Sequence, residues 1–324
     1  AIAVGNASDA LIIMLRAAGI GPGDEVIVPC FTFFSSASSI AHVGAVPVFC
    51  DIDSDTYSIK TDELESKITE RTKAIMPVHL FTQMADMKAI REIAERHNLL
   101  ILEDSAEAIS MFNEGVHAGL IGQAGVISFF PTKTLGAIGD AGLILTNNDD
   151  IAKQARMLRQ HGQEENVPYI YHMIGYNSRM DDIQAAVLLV RLQYLQGEIA
   201  KRAHLARLYD QLLADLPQVQ TPIIRARQDS ANPVYYVYLI EAERRDDLVE
   251  YLSEQGIGTE TYYPIPHHRQ PCFKYLGDNH GSMPNAELAS MRTVALPMYP
   301  DLSEEEIGIV SKAIHNFYES GVQQ

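Results

Sequence analysis

The chain has 324 residues, 47% of them hydrophobic and 21% charged, enough apolar material for one large domain and a smaller one. Its 42 acidic against 25 basic residues leave a net charge of −17, which argues against nucleic acid or an anionic membrane as partner and leaves any anionic ligand to be captured by local groups. No apolar run approaches a membrane span and no signal peptide is visible; Cys30, Cys50 and Cys272 form neither a CxxC pair nor a metal-ligand pattern, so the expectation is a cytoplasmic protein with free thiols and no metal.

The chain begins abruptly at AIAVGNAS, which reads as the inside of a domain. Gly5 to Leu11 leads into a helix ending near Gly19, with Ser8 or Asp9 as the predicted N-cap and free backbone N–H groups offered to an anion. A turn and a buried strand follow, Glu25 to Val28. CFTFFSSASSI then carries Phe33 into a helix that ends near Gly44, and VPVFCDID is another strand. Its acidic end, Asp51 to Asp55, lacks the central glycine and closing glutamate of a calcium loop. Thr61 caps a predicted helix over Asp62 to Thr69, Lys73 to Leu80 reads as a strand, and Asp86 to Asn98 is a strongly periodic helix. Leu99 to Leu102 is a short apolar strand ending in Glu103 and Asp104. This rhythm predicts an α/β fold: a mostly parallel central sheet with helices on both faces and ligands at the carboxyl ends of its strands.

The stretch from Gly125 to Gly142, GVISFFPTKTLGAIGDAG, opens as a buried strand, Val126 to Phe130. Pro131 stops the ladder and Lys133 follows, in a loop expected to be made pliable by Gly136, Gly139 and Gly142. A lysine just past a buried strand is partly desolvated, which favours the neutral amine that attacks an aldehyde. The plain alternative is a surface loop lysine. Ile151 to His161 reads as a helix, and Asp182 to about Leu216 as one long or once-bent helix joining a domain of residues 1–200 to one of 201–324. The second is a smaller α+β domain, with a strand over Val234 to Ile240 and helices over Arg245 to Gln255 and Ser303 to Phe317. No repeat or low-complexity segment is present.

From about Val4 to Pro300 these motifs, in this order, resemble those of the DegT/DnrJ/StrS family of sugar-nucleotide aminotransferases, which have the fold of type I enzymes dependent on pyridoxal 5′-phosphate (PLP). The family's serine, aromatic, three variable positions and lysine stand here as Ser128, Phe129 and Lys133. The resemblance implies that Lys133 carries the cofactor and that Ser8 and Ser128 bind its phosphate. It implies that Phe33 stacks on the pyridine ring and Asp104 pairs with the ring nitrogen. In EDSAEA, Glu107 would face the phenolic oxygen, where glutamine is commoner. Asn177, in GYNSRMDDIQAA, would reach across a homodimer interface to the partner's cofactor, so that active sites are shared. Arg179 beside it would support an anion or form a helix-start ion pair with Asp181 or Asp182. Tyr263 and His268, in TYYPIPHHRQPCF, would contact substrate, with His267 where leucine is common. Relatives usually carry an N-terminal segment ahead of this starting point.

A nicotinamide oxidoreductase would share the parallel sheet but needs a Gly-x-Gly-x-x-Gly that is absent, as are a Walker A loop, a zincin helix and a Gly-x-Ser-x-Gly elbow. Within the family, dehydratases replace the lysine with histidine, and Lys133 argues against that. A PLP-binding regulator without turnover is the rival of another class. The resemblance implies transfer of an amino group from an amino acid, L-glutamate by family habit, to a nucleotide-linked keto sugar. Pro131-x-Lys133-x-Leu135-Gly136 followed by Gly139-Asp140-Ala141-Gly142 is the pattern of members that aminate C3; C4 is the alternative.

Overall fold

The computed structural model describes residues 1–165, 167–225, 233–277 and 281–320. In chain order the strands are β1 Ile2–Val4, β2 Glu25–Pro29, β3 Val46–Cys50, β4 Thr72–Ile75, β5 Leu100–Asp104, β6 Phe112–Asn113, β7 Val116–His117, β8 Ala124–Ser128, β9 Gly142–Leu145, β10 Val219–Gln220, β11 Tyr238–Ala242 and β12 Thr293–Leu296. The helices are α1 Ala7–Ala17, α2 Phe34–His42, α3 Leu64–Lys67, α4 Met87–His97, α5 Asp149–Leu158, α6 Asp182–Leu192, α7 Leu195–Leu212, α8 Arg245–Glu254, α9 Pro284–Arg292 and α10 Glu304–Ser320.

Seven strands form the main sheet in the order β1-β9-β8-β5-β4-β2-β3. The pairs from β3 to β8 are parallel, while β9 runs antiparallel to both β8 and β1. The strands are short and buried on both sides, as a sheet covered by helices requires. Period-two alternation divides their side chains between two cores. Val26, Val28, Leu102 and Val126 join one with α1, α2 and α5; Ile27, Ile75, Ile101 and Ile127 join the other with α4, α6 and α7. A third core, from Leu205 to Tyr318, gathers α7, α8 and α10 around the antiparallel sheet β10-β11-β12.

Local chemistry explains where the elements depart from expectation. Asn6 caps α1, its Oδ1 accepting the Asp9 N–H at 2.8 Å, so Ser8 sits inside the first turn. The segment over Asp62 to Thr69 is a 3₁₀ turn, Thr61–Glu63, followed by the single-turn α3. Asp86 and Asn98 do bound α4, the second as a left-handed C-cap. The long helix is bent once, at Gln193 and Tyr194. Val234 to Val237 lies outside the small sheet, which begins at Tyr238, because the Val234 and Tyr236 N–H groups donate to Thr82 and Phe81.

Helix α9 has no side-chain cap of its own. Instead the buried Asp51, just past β3, accepts the Asn285 N–H at 3.1 Å and the Ala286 N–H at 2.9 Å. A carboxylate there satisfies two otherwise orphaned donors and meets the positive end of the helix dipole, 235 residues along the chain. Asp51→Ala should therefore cost roughly 2–3 kcal/mol in urea unfolding, with Asp51→Asn recovering part of it. A loss below about 0.5 kcal/mol would show that the cap carries no weight.

Candidate active site

The side chains converge at the carboxyl ends of β5 and β8. Successive residues of a strand point to opposite faces, so Glu103 and Asp104 diverge. Asp104, 4% exposed, points to the α1–α2 side, where Oδ2 accepts from Ser36 Oγ at 2.6 Å and Oδ1 from the Ala106 N–H at 3.2 Å. Burial pushes its carboxyl above the ordinary aspartate value, opposed by these bonds and by the nearby Lys133. Glu103 points the other way into full burial. Its Oε2 accepts from His79 Nε2 and the Gly119 N–H, both at 2.8 Å, and its Oε1 from the Ile121 and Gly122 N–H groups at 2.8 and 2.7 Å. Burial opposes its ionisation, yet the His79 bond and these amides hold its carboxyl below the ordinary glutamate value.

Lys133 follows β8 in a tight turn, its N–H donating to Phe130 O at 2.8 Å. Its Nζ donates to Glu107 Oε1 at 2.8 Å and lies 4.0 Å from the centre of the Tyr236 ring. Burial alone would lower its pKa, but Glu107 and Tyr236 outweigh it and hold the amine above the ordinary lysine value. Against the expectation that burial favours the neutral amine, Glu107 and Tyr236 here favour the protonated form. Glu107 accepts at both oxygens, with Oε2 taking the Phe81 N–H at 2.8 Å. The loop glycines also have another reason than pliability. None of Gly136, Gly139 and Gly142 has a positive φ; a Cβ on Gly142 would stand 2.6 Å from the Asn6 carbonyl carbon, so close packing of the β9 start on α1 demands glycine there.

Ser8 Oγ and Ser35 Oγ are 2.6 Å apart, which brings the first turns of α1 and α2 side by side. Phe33 is the residue before α2 and its ring is 59% exposed. Ser128 is the last residue of β8, 7% exposed, its Oγ accepting the Phe130 N–H at 3.3 Å. Tyr263 stacks on Phe81, ring centres 6.1 Å apart, and meets Phe31 edge-on. His268 lies apart from the lysine cluster: its Nε2 bonds Glu287 Oε1 at 3.0 Å and its side chain is 4% exposed. His267 packs among Phe34, Phe49 and Phe273, and burial pushes its pKa down to about 4.

Asn177 and Arg179 are exposed and bonded to each other, Arg179 Nη2 to Asn177 Oδ1 at 3.1 Å; among the described residues Arg179 makes no ion pair with Asp181 or Asp182. Between them Ser178 Oγ donates to Asp9 at 2.6 Å and accepts the Gly5 N–H at 3.0 Å, which fixes this segment to the start of α1. Sequence reasoning missed Ser36, His79, Phe81 and Tyr236. The alternation of faces along β5 is the one signal that could have pointed to a separate partner for Glu103.

A mostly parallel sheet with an amine and a buried carboxylate at its carboxyl ends is the arrangement of PLP enzymes of fold type I, and here the enzyme is an aminotransferase. The chain belongs to the DegT/DnrJ/EryC1/StrS aminotransferase family, whose model matches residues 1–315. It is 47% identical to a "pleiotropic regulatory protein" of Geobacillus stearothermophilus, over 98% of this chain and 84% of the relative. It is 40% identical to a UDP-N-acetyl-3-dehydro-alpha-D-glucosamine 3-aminotransferase of Acidithiobacillus ferrooxidans, over 95% of this chain and 82% of that one. The crystal structure of NtdA from Bacillus subtilis with its cofactor PMP superposes with a TM-score of 0.90 at 34% identity, covering 97% of this chain and 72% of that one.

The residues present fit PLP by their chemistry. Lys133 Nζ is an amine for an aldehyde, and Asp104 is a buried carboxylate that a protonated ring nitrogen would keep ionised. The paired hydroxyls of Ser8 and Ser35, at two adjoining helix N-termini, suit a phosphate.

Proposed function

We propose that this aminotransferase acts on a nucleotide-linked sugar bearing a ketone at C3, with L-glutamate as amino donor. The observation that carries the reading is the buried contact of Lys133 Nζ with Glu107, beside Asp104 on the neighbouring strand end. PLP, when bound, supplies an aldehyde for the amine and a ring that draws electrons from the bond being broken. Lys133 Nζ then takes up and returns the migrating proton as general base and acid. Glu107 Oε1 holds a proton on that nitrogen until the amine is required, and Asp104 would keep a proton on the ring nitrogen of the bound cofactor. Ser8 and Ser128 would hold the cofactor's phosphate and Phe33 would limit tilt of its ring. Tyr263, stacked on Phe81, would contact substrate, while His268 would act through the loop it ties to Glu287. The large unit of residues 1–200 supplies the cofactor groups and that of 201–324 supplies Tyr236. Buried free Cys30 and Cys50 suit a reducing cytoplasm.

The active unit is a homodimer with shared sites. Support comes from large apolar side chains left exposed in the segment that carries Asn177: Tyr169 is 82% exposed and Ile174 86%. Asn177 and Arg179 project from this same segment.

Reduction of the PLP-loaded protein with borohydride should place the cofactor on the peptide containing Lys133, and Lys133→Ala should abolish that adduct; cofactor on another lysine refutes the assignment. Lys133→Ala and Asn177→Ala chains should each be nearly inactive. Mixed, they should regain roughly a quarter of wild-type activity, since random pairing makes half the dimers mixed, each with one intact site. No recovery despite demonstrated subunit exchange counts against sharing. For the sugar, the C3 reading rests on the loop Thr134 to Gly142, whose shape sets which carbon comes within reach; a misplacement of about 1 Å costs on the order of 100-fold in rate. In competition between matched 3-keto and 4-keto sugar nucleotides, kcat/KM should favour the 3-keto substrate. A clearly higher value for the 4-keto sugar overturns it.

A further inference from the structure

The two groups that hold Lys133 share a support. Phe81 has φ +61°, a conformation that a bulky residue adopts only under constraint, and Thr82 N–H bonds back to Leu80 O at 2.7 Å. The result is a γ-turn of the rarer, strained hand. Its strain aims the backbone of Phe81 in two useful directions. The Phe81 N–H reaches Glu107 Oε2 at 2.8 Å, whose other oxygen bonds Lys133 Nζ. The Phe81 carbonyl shares the Tyr236 N–H, at 3.2 Å, with Val234 O at 2.9 Å, and the Tyr236 ring is the one lying 4.0 Å from that same nitrogen.

A strained turn needs a clamp. His79 and Ala85 bracket it: the Ala85 N–H donates to His79 Nδ1 at 3.2 Å, and His79 Nε2 contacts Glu103 Oε2 at 2.8 Å. With Nδ1 accepting, the ring proton must be on Nε2, so the carboxylate of Glu103 fixes the tautomer that closes the loop. Both side chains are wholly buried, and their side-chain hydrogen bonds go to each other and to backbone amides rather than to Lys133, Asp104 or Glu107.

We propose that the buried His79–Glu103 pair is a positioning device for Lys133, acting through the turn at Phe81, which sets both Glu107 and Tyr236 against the lysine nitrogen. It deepens the reading of Lys133 as the cofactor lysine. Charged or titratable groups facing that nitrogen are Glu107, Tyr236 and, at longer range, Asp104. Releasing the turn loosens Glu107 first, so the amine loses its proton more readily.

The test reads the amine itself. Trace acetylation of the full chain at a fixed pH below the amine's pKa, with peptide mapping and an exposed lysine as internal reference, reports how much of Lys133 is neutral. No cofactor is needed, so the borohydride experiment separately decides whether Lys133 is the cofactor lysine. Glu107→Gln should raise Lys133 reactivity about tenfold, the equivalent of one pH unit. His79→Asn keeps an acceptor for Ala85 but loses Glu103, and His79→Gln keeps a donor to Glu103 but loses Ala85. Each should raise reactivity roughly threefold, and His79→Asn combined with Glu107→Gln should be no more reactive than Glu107→Gln alone. Unchanged reactivity in a folded His79 variant, or a double variant in which the effects multiply, overturns the proposal. Should neither His79 variant fold, amide exchange in the wild type decides. The Phe81 and Ala85 amides should then open together; Ala85 opening more than about tenfold faster would show that the clamp does not hold the turn.

Discussion

The ion pair between Lys133 and Glu107 is the constraint around which the site is arranged. Removing an ammonium and a carboxylate from water is expensive, and their mutual attraction offsets that cost only when the remaining lone pairs and protons also find partners. Here they do. Glu107 uses its second oxygen for the Phe81 amide, and the lysine turns its remaining face to the Tyr236 ring. A pair satisfied in this way holds the amine protonated yet ready to release its proton once the carboxylate is engaged elsewhere.

What holds these groups is largely outside the sheet. Tyr236 belongs to a segment outside β11, its amide shared between the carbonyls of Val234 and Phe81. The buried Arg202 of α7 reinforces the same segment, its Nη1 donating to the carbonyls of Tyr235 and Tyr236 at 3.1 Å and of Met298 at 2.9 Å. Through Tyr236 these contacts make the segment ahead of β11 part of the structural support of Lys133.

The parallel part of the main sheet was legible in the sequence because β2, β3, β4, β5 and β8 fall in segments read as short strands between turn signals, and α4 because its apolar spacing and both caps are local; β1 and β9, the antiparallel edge, were not read as strands. Lys133 and Asp104 were legible as ordered motifs at strand ends. Phe81, Tyr236 and His79 were not, since their importance arises from contacts between segments far apart in the chain. The capping residue of α1 was misread because Asn6, Ser8 and Asp9 are all good caps, and only backbone geometry distinguishes them. The surroundings of Lys133 were legible only in part for a related reason: burial can be inferred from a strand end, but contact with a carboxylate 26 residues away cannot.

The adjacent acids at the end of β5 bear on how the chain folds. A slip of one residue in a strand exchanges its two faces. Such a slip in β5 would present the His79 nitrogen and the amides of Gly119, Ile121 and Gly122 with either Leu102 or the shorter Asp104. Each donor left unpaired inside the protein costs about 1–3 kcal/mol, so the misaligned strand would be disfavoured before any cofactor arrived. Glu103 thereby acts as a proofreader of register: a chain that has seated it correctly has, by the same geometry, delivered Asp104 to the opposite face.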